Sequence, residues 1–191
     1  GGREGAHMKL QWKNKLQRTV MAGVFAALLV VLSQVSIPLP TGIPVTLQTF
    51  AVALCGCVLG PAVGSAAVGV YLALGAVGVP VFAGFSGGAG ALVGMTGGYL
   101  WAFLPMAFLC GLGAQQKNKF LALALGLAGL AVCHGCGAAQ FALVMSISPA
   151  QAFLAASAPY LAKDVLSLVL AYGAARAVVL ALKRARLVTF S

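Results

Sequence analysis

The sequence predicts an all-α integral membrane protein, folded as a compact bundle of six transmembrane helices. Hydrophobic residues make up 61% of the 191 residues and charged residues only 7%, and the mean hydropathy is +1.02. A soluble domain could not present such a surface to water without aggregating. A transmembrane helix needs about 20 apolar residues, and glycine and proline clusters divide the chain into six segments near this length. The protein is therefore expected to span a membrane several times.

The N-terminal residues 1–7 precede Met8 and are rich in glycine, so we interpret them as an expression scar. Residues 8–191 are expected to form a single six-helix domain. No cleavable signal peptide is predicted, because the first apolar run is long enough to span and no small-residue cleavage pattern follows it before Pro38.

Helix breakers define the predicted spans. Prolines and glycines in residues 38–44 end the first span, Gly60 and Pro61 separate the second from the third, and residues 78–90 form a glycine-rich break before the fourth. The predicted spans are residues 19–37, 46–59, 62–78, 92–113, 120–146 and 151–182. The second is short for a perpendicular crossing, although irregular flanking backbone that is buried in protein can complete it.

The basic residues predict the orientation in the cytoplasmic membrane. Most of the net charge of +10 lies in three clusters beside predicted spans. These clusters are Lys9, Lys13, Lys15 and Arg18; Lys117 and Lys119; and Arg176, Lys183, Arg184 and Arg186. Basic clusters mark the cytoplasmic side, so both termini and the loop at 115–119 are expected there. Since aromatic residues do not alternate with these charges on one face, no nucleic-acid partner is predicted.

Asp164 is the acid that requires an explanation, because the only other one, Glu4, lies in the predicted scar. An ionised side chain at bilayer depth costs roughly 2.5 to 3.5 kcal/mol, so it indicates a functional site. The topology places Asp164 in the outer half of the last span, beneath the loops at 37–46 and 78–96, which predicts an outward-facing pocket for a small molecule. The alternative is an ion pair with Lys163 that only fixes helix packing, although neighbouring helical residues point about 100° apart.

Three sequence blocks carry a resemblance to a known family. Residues 38–50 (PLPTGIPVTLQTF), 71–84 (YLALGAVGVPVFAG) and 96–100 (TGGYL), in this order, closely resemble BioY, the biotin-binding S component of energy-coupling factor (ECF) transporters. The resemblance implies the S-component fold and capture of biotin from outside the cell. It also implies a transmembrane coupling protein and two ATPase subunits as partners. A biotin transporter that works alone is one alternative, and a membrane enzyme or channel is the other.

The resemblance places the family's pocket aspartate at Asp164. Biotin has two ureido N–H donors, one carbonyl acceptor, an apolar thioether ring and an anionic tail, and a carboxylate suits the two donors. Family members commonly carry a lysine three residues after the aspartate, where this chain has Ser167. Either Lys163 reaches the ligand with its long stem, or Ser167 supplies a weaker donor and Lys163 turns outward.

Five further residues are candidate ligand contacts. Gln48, Thr49 and Tyr71 are polar groups in or beside predicted spans and can bind the ureido ring or the carboxylate. The alternatives are interhelical hydrogen bonds and, for Tyr71, anchoring at the membrane interface. Phe82 and Gly84 begin a glycine-rich loop whose glycines permit close backbone approach and give a lid its hinges.

No enzyme activity, cofactor or metal is predicted. The glycine-rich loop lacks a following Gly-Lys-Ser/Thr, so the chain shows no ATPase site of its own, and it has no paired carboxylates or Ser/His/Asp set. Cys133 and Cys136 flank His134, but free cysteine in an apolar helix behaves as a small hydrophobic residue. His134 needs a polar partner at bilayer depth, which either the pocket or another helix supplies.

Small residues on the first helix predict a docking surface. Ala22 and Ala26, together with Gly23 and Ala27, form small-xxx-small patterns that let another helix approach closely. The resemblance implies that Ala22 and Ala26 dock on the coupling protein. The alternative is packing inside the bundle.

Overall fold

The computed structural model describes residues 10–190, and the predicted scar at residues 1–7 lies outside them. Within this part of the chain there are eight α-helices: α1 (Lys15–Gln34), α2 (Gln48–Leu59), α3 (Pro61–Ala76), α4 (Ala89–Val93), α5 (Gly97–Ala114), α6 (Lys119–Met145), α7 (Pro149–Ala156) and α8 (Leu161–Arg184). Two 3-10 turns lie at Ala83–Phe85 and Ala158–Tyr160. Strands β1 (Leu10–Trp12) and β4 (Val188–Phe190) pair antiparallel, and so do β2 (Ser36–Ile37) and β3 (Val45–Thr46).

Four helical stretches are long and apolar enough to cross a membrane. They are Lys15–Gln34, Gly97–Ala114, Lys119–Met145 and Pro149–Arg184, the last of which joins α7 and α8. The apolar helices α2 and α3 are shorter, with 12 and 16 residues. At 1.5 Å per residue α2 is about 18 Å long, against about 30 Å for the hydrocarbon core.

The short helix α2 lies at the centre of the bundle. Of its 12 residues only Phe50 is not fully buried, and it packs against α1, α3, α5 and α8. Gly56 allows the close approach to α5, because a Cβ atom there would collide with the carbonyl oxygen of Ala107. Since protein rather than lipid surrounds α2, its length need not match the bilayer.

The observed helices show where the predicted spans were accurate. Helices α2, α3 and α6 begin and end within two residues of the predictions, whereas α1 begins at Lys15 and ends at Gln34 rather than covering 19–37. The side chain of Asn14 accepts a hydrogen bond from the amide of Gln17 at 2.8 Å and caps α1. That N-cap was the sequence signal for the earlier start.

Two predicted spans are broken in the structure. The span at 92–113 is interrupted between α4 and α5, where the Gln140 amide donates to the carbonyl oxygens of Leu92 and Gly94 at 3.0 and 2.7 Å. The span at 151–182 is divided between α7 and α8 at Pro159, because proline removes a helical hydrogen bond and clashes with the preceding turn. Asp164 consequently lies in the first turn of α8, where the helix dipole favours a negative charge.

The bundle has two chemically different ends. The first, which we call the basic end, comprises residues 10–18, 59–63, 115–119 and 183–190. The pairing of β1 with β4 brings both ends of the described chain to it, and all the described lysines and arginines except Lys163 and Arg176 lie there. The opposite end, which we call the cavity end, comprises residues 35–48, 77–96, 146–149 and 156–164.

Candidate functional site

A partly open cavity of about 260 Å³ lies at the cavity end. The β2–β3 hairpin and the segment 82–96 cover it, and α5, α6 and α8 form its walls. The two loops that the sequence predicted to share one face of the bundle therefore line the same cavity. Small-molecule pockets range from about 300 to 1,000 Å³, so this cavity suits a compact ligand.

The polar floor of the cavity is built around Asp164, which is 5% exposed. Its Oδ2 lies 2.9 Å from His134 Nε2 on α6. Its Oδ1 forms an ion pair with the ammonium group of Lys163, and Lys163 also donates to the carbonyl oxygen of Thr46 at 3.0 Å. The Asp164 carboxylate thus connects α8 to α6. Its ion-pair partner Lys163 connects α8 to the end of β3.

The pairing of Lys163 with Asp164 corrects part of the sequence interpretation. Adjacent helical residues were expected to pair poorly, yet the long lysine stem bends back so that its ammonium group reaches the neighbouring carboxylate. The ion pair also lies in the wall of the cavity. Packing and ligand binding, which we treated as alternatives for Asp164, are therefore compatible.

Two buried atoms in the floor lack hydrogen-bond partners among the described residues: His134 Nδ1 and Asp164 Oδ1. Oδ1 nevertheless has the ammonium group of Lys163 as its ion-pair partner, so His134 Nδ1 is the one of the two without any partner among the described residues. Nearly all buried polar groups in native proteins are hydrogen-bonded. An unpartnered ring nitrogen beside a buried carboxylate in one cavity therefore indicates a place for a polar group of a ligand.

Tyr99 on α5 holds the wall beside His134. Its hydroxyl donates to the carbonyl oxygen of Ala156 at 2.6 Å and lies 2.9 Å from the hydroxyl of Ser157. The Ser157 hydroxyl in turn donates to the backbone carbonyl of His134 at 3.4 Å. The ring of Tyr99 packs edge-on against the imidazole, with ring centres 5.9 Å apart. These contacts fix the break between α7 and α8 against α6.

Gln48 and Thr49 begin α2 and line another part of the cavity. The Gln48 amide nitrogen donates to the hydroxyl of Tyr71 at 2.9 Å, and that hydroxyl lies 2.9 Å from the hydroxyl of Ser33. Tyr71 is fully buried and does not line the cavity. The structure therefore assigns Tyr71 to the support of Gln48 and not to the cavity surface.

Phe82 supplies an apolar wall. Its ring packs edge-on against Tyr71, with ring centres 5.4 Å apart, and it covers Gly75, where any Cβ atom would overlap the ring. Gln34 on α1 holds the loop, because its amide donates to the carbonyl oxygens of Val81 and Phe82 at 3.1 Å and accepts from the amide of Phe85 at 2.9 Å.

Five of the eight sequence-predicted contacts line the cavity: Asp164, Lys163, Gln48, Thr49 and Phe82. Ser167, Tyr71 and Gly84 do not. Ser167 is buried one helical turn beyond Asp164, so the geometry favours Lys163 over Ser167 as the donor near a ligand. Gly84, with φ of 68°, shapes the turn that carries Phe82.

The predicted docking pair is only partly available on the surface. Ala26 is 3% exposed and packs inside the bundle, and Ala22 is half-buried. Gly23 and Ala27, one position further along, are exposed. The small-xxx-small pattern that faces outward is therefore Gly23 with Ala27.

A second cavity, of about 550 Å³, lies at the basic end. Exposed cations, including Lys13, Lys15 and Arg18, and the turn at Gly60 line it. It contains no buried carboxylate. Among the described residues no group of three or more histidine, cysteine, aspartate or glutamate side chains could hold a metal ion, and all five cysteines are free.

An apolar helical bundle with a polar-floored cavity is the architecture of a membrane protein that binds a small molecule. The family model of the BioY family matches residues 7–184. The chain therefore belongs to the BioY family.

Curated relatives and a solved structure agree with this assignment. The biotin transporter BioY of Thermotoga maritima is 49% identical over 123 residues, covering 64% of this chain and 72% of the relative. That of Rhizobium etli is 31% identical over 173 residues, covering 83% and 91%. The crystallised S-component for biotin from an ECF-type ABC transporter superposes with a TM-score of 0.78 at 26% identity, covering 86% of this chain and 91% of that one. The relatives are named as transporters and not as enzymes.

Proposed function

We propose that this protein is the biotin-binding S component of an ECF importer and takes part in biotin uptake across the cytoplasmic membrane. The observation that carries the proposal is the buried carboxylate of Asp164 in the floor of the cavity. Biotin needs acceptors for two N–H groups at one end and apolar walls beyond them. The relatives named as biotin transporters support this ligand.

The cavity offers suitable partners for each part of biotin. Asp164 accepts ureido N–H groups, and Lys163 donates to the ureido carbonyl. The aromatic rings of Phe82 and Phe103 pack against the apolar thioether ring. Gln48 and Thr49 provide donors for the tail carboxylate.

In this proposal the cavity end faces outward and the basic end faces the cytoplasm, in agreement with the positive-inside rule. Six crossings are formed by α1, α2, α3, α5, α6 and the joined α7–α8. An even number of crossings is supported by the pairing of β1 with β4, which places the two ends of the described chain side by side.

The energy for uptake comes from partner subunits. We infer a transmembrane coupling protein and two ATPases, and we place the docking surface on the exposed small residues Gly23 and Ala27 of α1. A Cβ atom at Gly23 would meet nothing within 4 Å in the described chain, so a partner helix can approach closely there.

Binding and uptake can be tested separately. Calorimetric titration of the purified protein with biotin should give saturable binding at one site per chain, and lipoic acid, which lacks the ureido ring, should give none. Uptake of labelled biotin into cells should then require coexpressed coupling protein and ATPases. Uptake that persists without them would favour the stand-alone transporter, and absence of binding would contradict the proposed ligand.

Replacement of Gly23 with Trp should abolish ATP-dependent uptake while leaving biotin binding unchanged. Val31→Trp is the matched control, since Val31 is also exposed on α1 but is not part of the small-residue pair. Loss of binding together with uptake would place Gly23 in the internal packing of the bundle.

A further inference from the structure

His134 lies in the cavity floor with one ring nitrogen engaged and the other unpaired. Nε2 is 2.9 Å from Asp164 Oδ2, whereas Nδ1 is buried without a hydrogen-bond partner. The side chain is 4% exposed. The bond to Asp164 satisfies only one of the two ring nitrogens, so the buried Nδ1 still needs a hydrogen-bond partner.

The bond to Asp164 fixes the chemical character of Nδ1. An ionised carboxylate can only accept hydrogen bonds, so Nε2 must carry the proton that joins the two groups. In the neutral imidazole Nδ1 is then an acceptor. The charges of Lys163 and Asp164 already balance each other. The other titratable groups beside the imidazole, on Tyr99 of α5 and Cys133 of α6, carry no charge in their ordinary protonation states.

The floor therefore offers one acceptor without any partner, His134 Nδ1, beside the ion pair of Asp164 Oδ1 with Lys163, whose carboxylate lone pairs and ammonium protons a ligand can share. The edge of a cyclic urea presents two N–H donors and one carbonyl acceptor. The two sets match in number and in kind. Asp164 Oδ2 already accepts from His134 and Oδ1 is paired with Lys163, so His134 Nδ1 gives the second ureido N–H an acceptor that no other group uses.

We propose that His134 is a ligand-binding residue of this site: its Nδ1 accepts one ureido N–H while Asp164 Oδ1 accepts the other. The assignment rests on the proposed function, since it names the groups that hold the same ligand. It also gives His134 a second role, because its Nε2–H orients the carboxylate. A cyclic urea with either nitrogen blocked is rejected, since one buried acceptor is then left without its donor.

Paired substitutions separate the two roles of His134. In His134→Gln the side-chain amide can replace Nε2 as the donor to Asp164 but places no acceptor at the position of Nδ1. In His134→Asn the shorter side chain retains an acceptor near Nδ1 and loses the donor to Asp164. His134→Gln should weaken biotin binding by about 10- to 100-fold, the loss expected for one neutral hydrogen bond in a buried site.

The decisive readout is a double-mutant cycle with two biotin analogues, each methylated on one ureido nitrogen. In the parent protein each methyl group should weaken binding strongly. In His134→Gln one of the two methylations should cost little further affinity, and in His134→Asn that same methylation should again be costly. Methylation penalties that are equal in the parent and in His134→Gln would overturn the assignment of Nδ1. If the parent protein fails to bind biotin at all, the proposed function itself has failed.

Nitrogen-15 NMR of histidine-labelled protein tests the same contact without a substitution in the floor. A lone-pair imidazole nitrogen shifts upfield when it accepts a hydrogen bond, so biotin should move the Nδ1 resonance of His134. A His7→Gln variant removes the other histidine and makes the assignment unambiguous. An Nδ1 resonance that is unchanged at saturating biotin would contradict the proposal even if the variants at 134 do not fold.

Discussion

The two ends of the bundle are constructed differently. At the basic end the helices are joined by short turns, as at Gly60 between α2 and α3 and at 115–118 between α5 and α6. At the cavity end the connections are a hairpin, two 3-10 turns and two breaks inside apolar segments. Most of the described cations gather at the basic end, while the single described carboxylate lies buried at the cavity end.

This difference shows what irregular backbone accomplishes inside a membrane protein. A helix break frees backbone groups that lipid cannot satisfy, so breaks are tolerated only where protein or a cavity receives them. Here side chains satisfy such groups. The hydroxyls of Tyr99 and Tyr160 donate hydrogen bonds to the carbonyl oxygens of Ala156 and Ile43, both at 2.6 Å. The helix breaks place polar groups around the cavity. The regular basic end carries the charges that orient the protein in the membrane and offers a contact surface.

The largest predicted effect concerns the charge at the cavity end. Asp164→Asn keeps the shape but removes a charge-assisted acceptor and leaves buried groups unpaired, which should cost about 2 to 4 kcal/mol of binding free energy. The dissociation constant for biotin, measured by calorimetry, should rise roughly 30- to 1,000-fold. Lys117→Gln, which removes a charge at the basic end, should leave it unchanged. Equal effects of the two substitutions would contradict the difference between the ends.

The second prediction concerns the packing of the Phe82 ring against Gly75. A Cβ atom at Gly75 would overlap the Phe82 ring, so Gly75→Ala should displace the ring and cost about 1 to 3 kcal/mol through overpacking. Thermal unfolding and biotin titration should both show the loss. Gly69→Ala on the same helix is the control, because its nearest neighbour would be Leu104 Cδ2 at 3.8 Å. A Gly75→Ala variant as stable as Gly69→Ala would mean that Phe82 is not held in this way.

The third prediction compares one tyrosine hydroxyl from each part of the bundle. Tyr160 donates to Ile43 at 2.6 Å and holds the hairpin over the cavity, whereas Tyr172 donates to Ala122 at 2.9 Å, toward the basic end. Loss of either hydroxyl should destabilise the protein by about 0.5 to 1.5 kcal/mol. Only Tyr160→Phe should speed biotin release, by about 3- to 10-fold, in a stopped-flow chase. Faster release from Tyr172→Phe as well would indicate that general stability, and not the hairpin, controls release.

The smallest expected effect on binding belongs to the topology test. Cysteines at Asn118 and at Val77, introduced after removal of the native cysteines, should leave biotin affinity unchanged. An impermeant thiol reagent added to intact cells should label the cysteine at 77, which is exposed at the cavity end, but not the one at 118. The opposite labelling pattern would reverse the proposed orientation.

The sequence predicted the helical segments and the importance of Asp164 because both depend on local composition. Apolar runs, glycine and proline breaks and a lone acid are visible without any knowledge of contacts. The break before α8 was also visible at Pro159, but the apolar run around it was taken as a continuous helix.

The partners of the site were harder to predict. His134 lies 30 residues from Asp164, and Tyr160 lies 117 residues from Ile43, and one sequence gives no pairing between such positions. The docking face of α1 stays a prediction for a related reason: the small-xxx-small patterns at 22 and 26 and at 23 and 27 differ by one residue. Only the packed structure shows which pair faces outward.

The central claim, that the ligand binds at the cavity end, is tested most directly by locating biotin in the protein. Crystals grown with a biotin analogue that carries selenium in place of sulfur would give an anomalous signal at the thioether position. We predict a single peak in the cavity between Phe82, Phe103 and Tyr99. A peak in the larger cavity at the basic end, beside Lys15 and Arg18, would contradict the account.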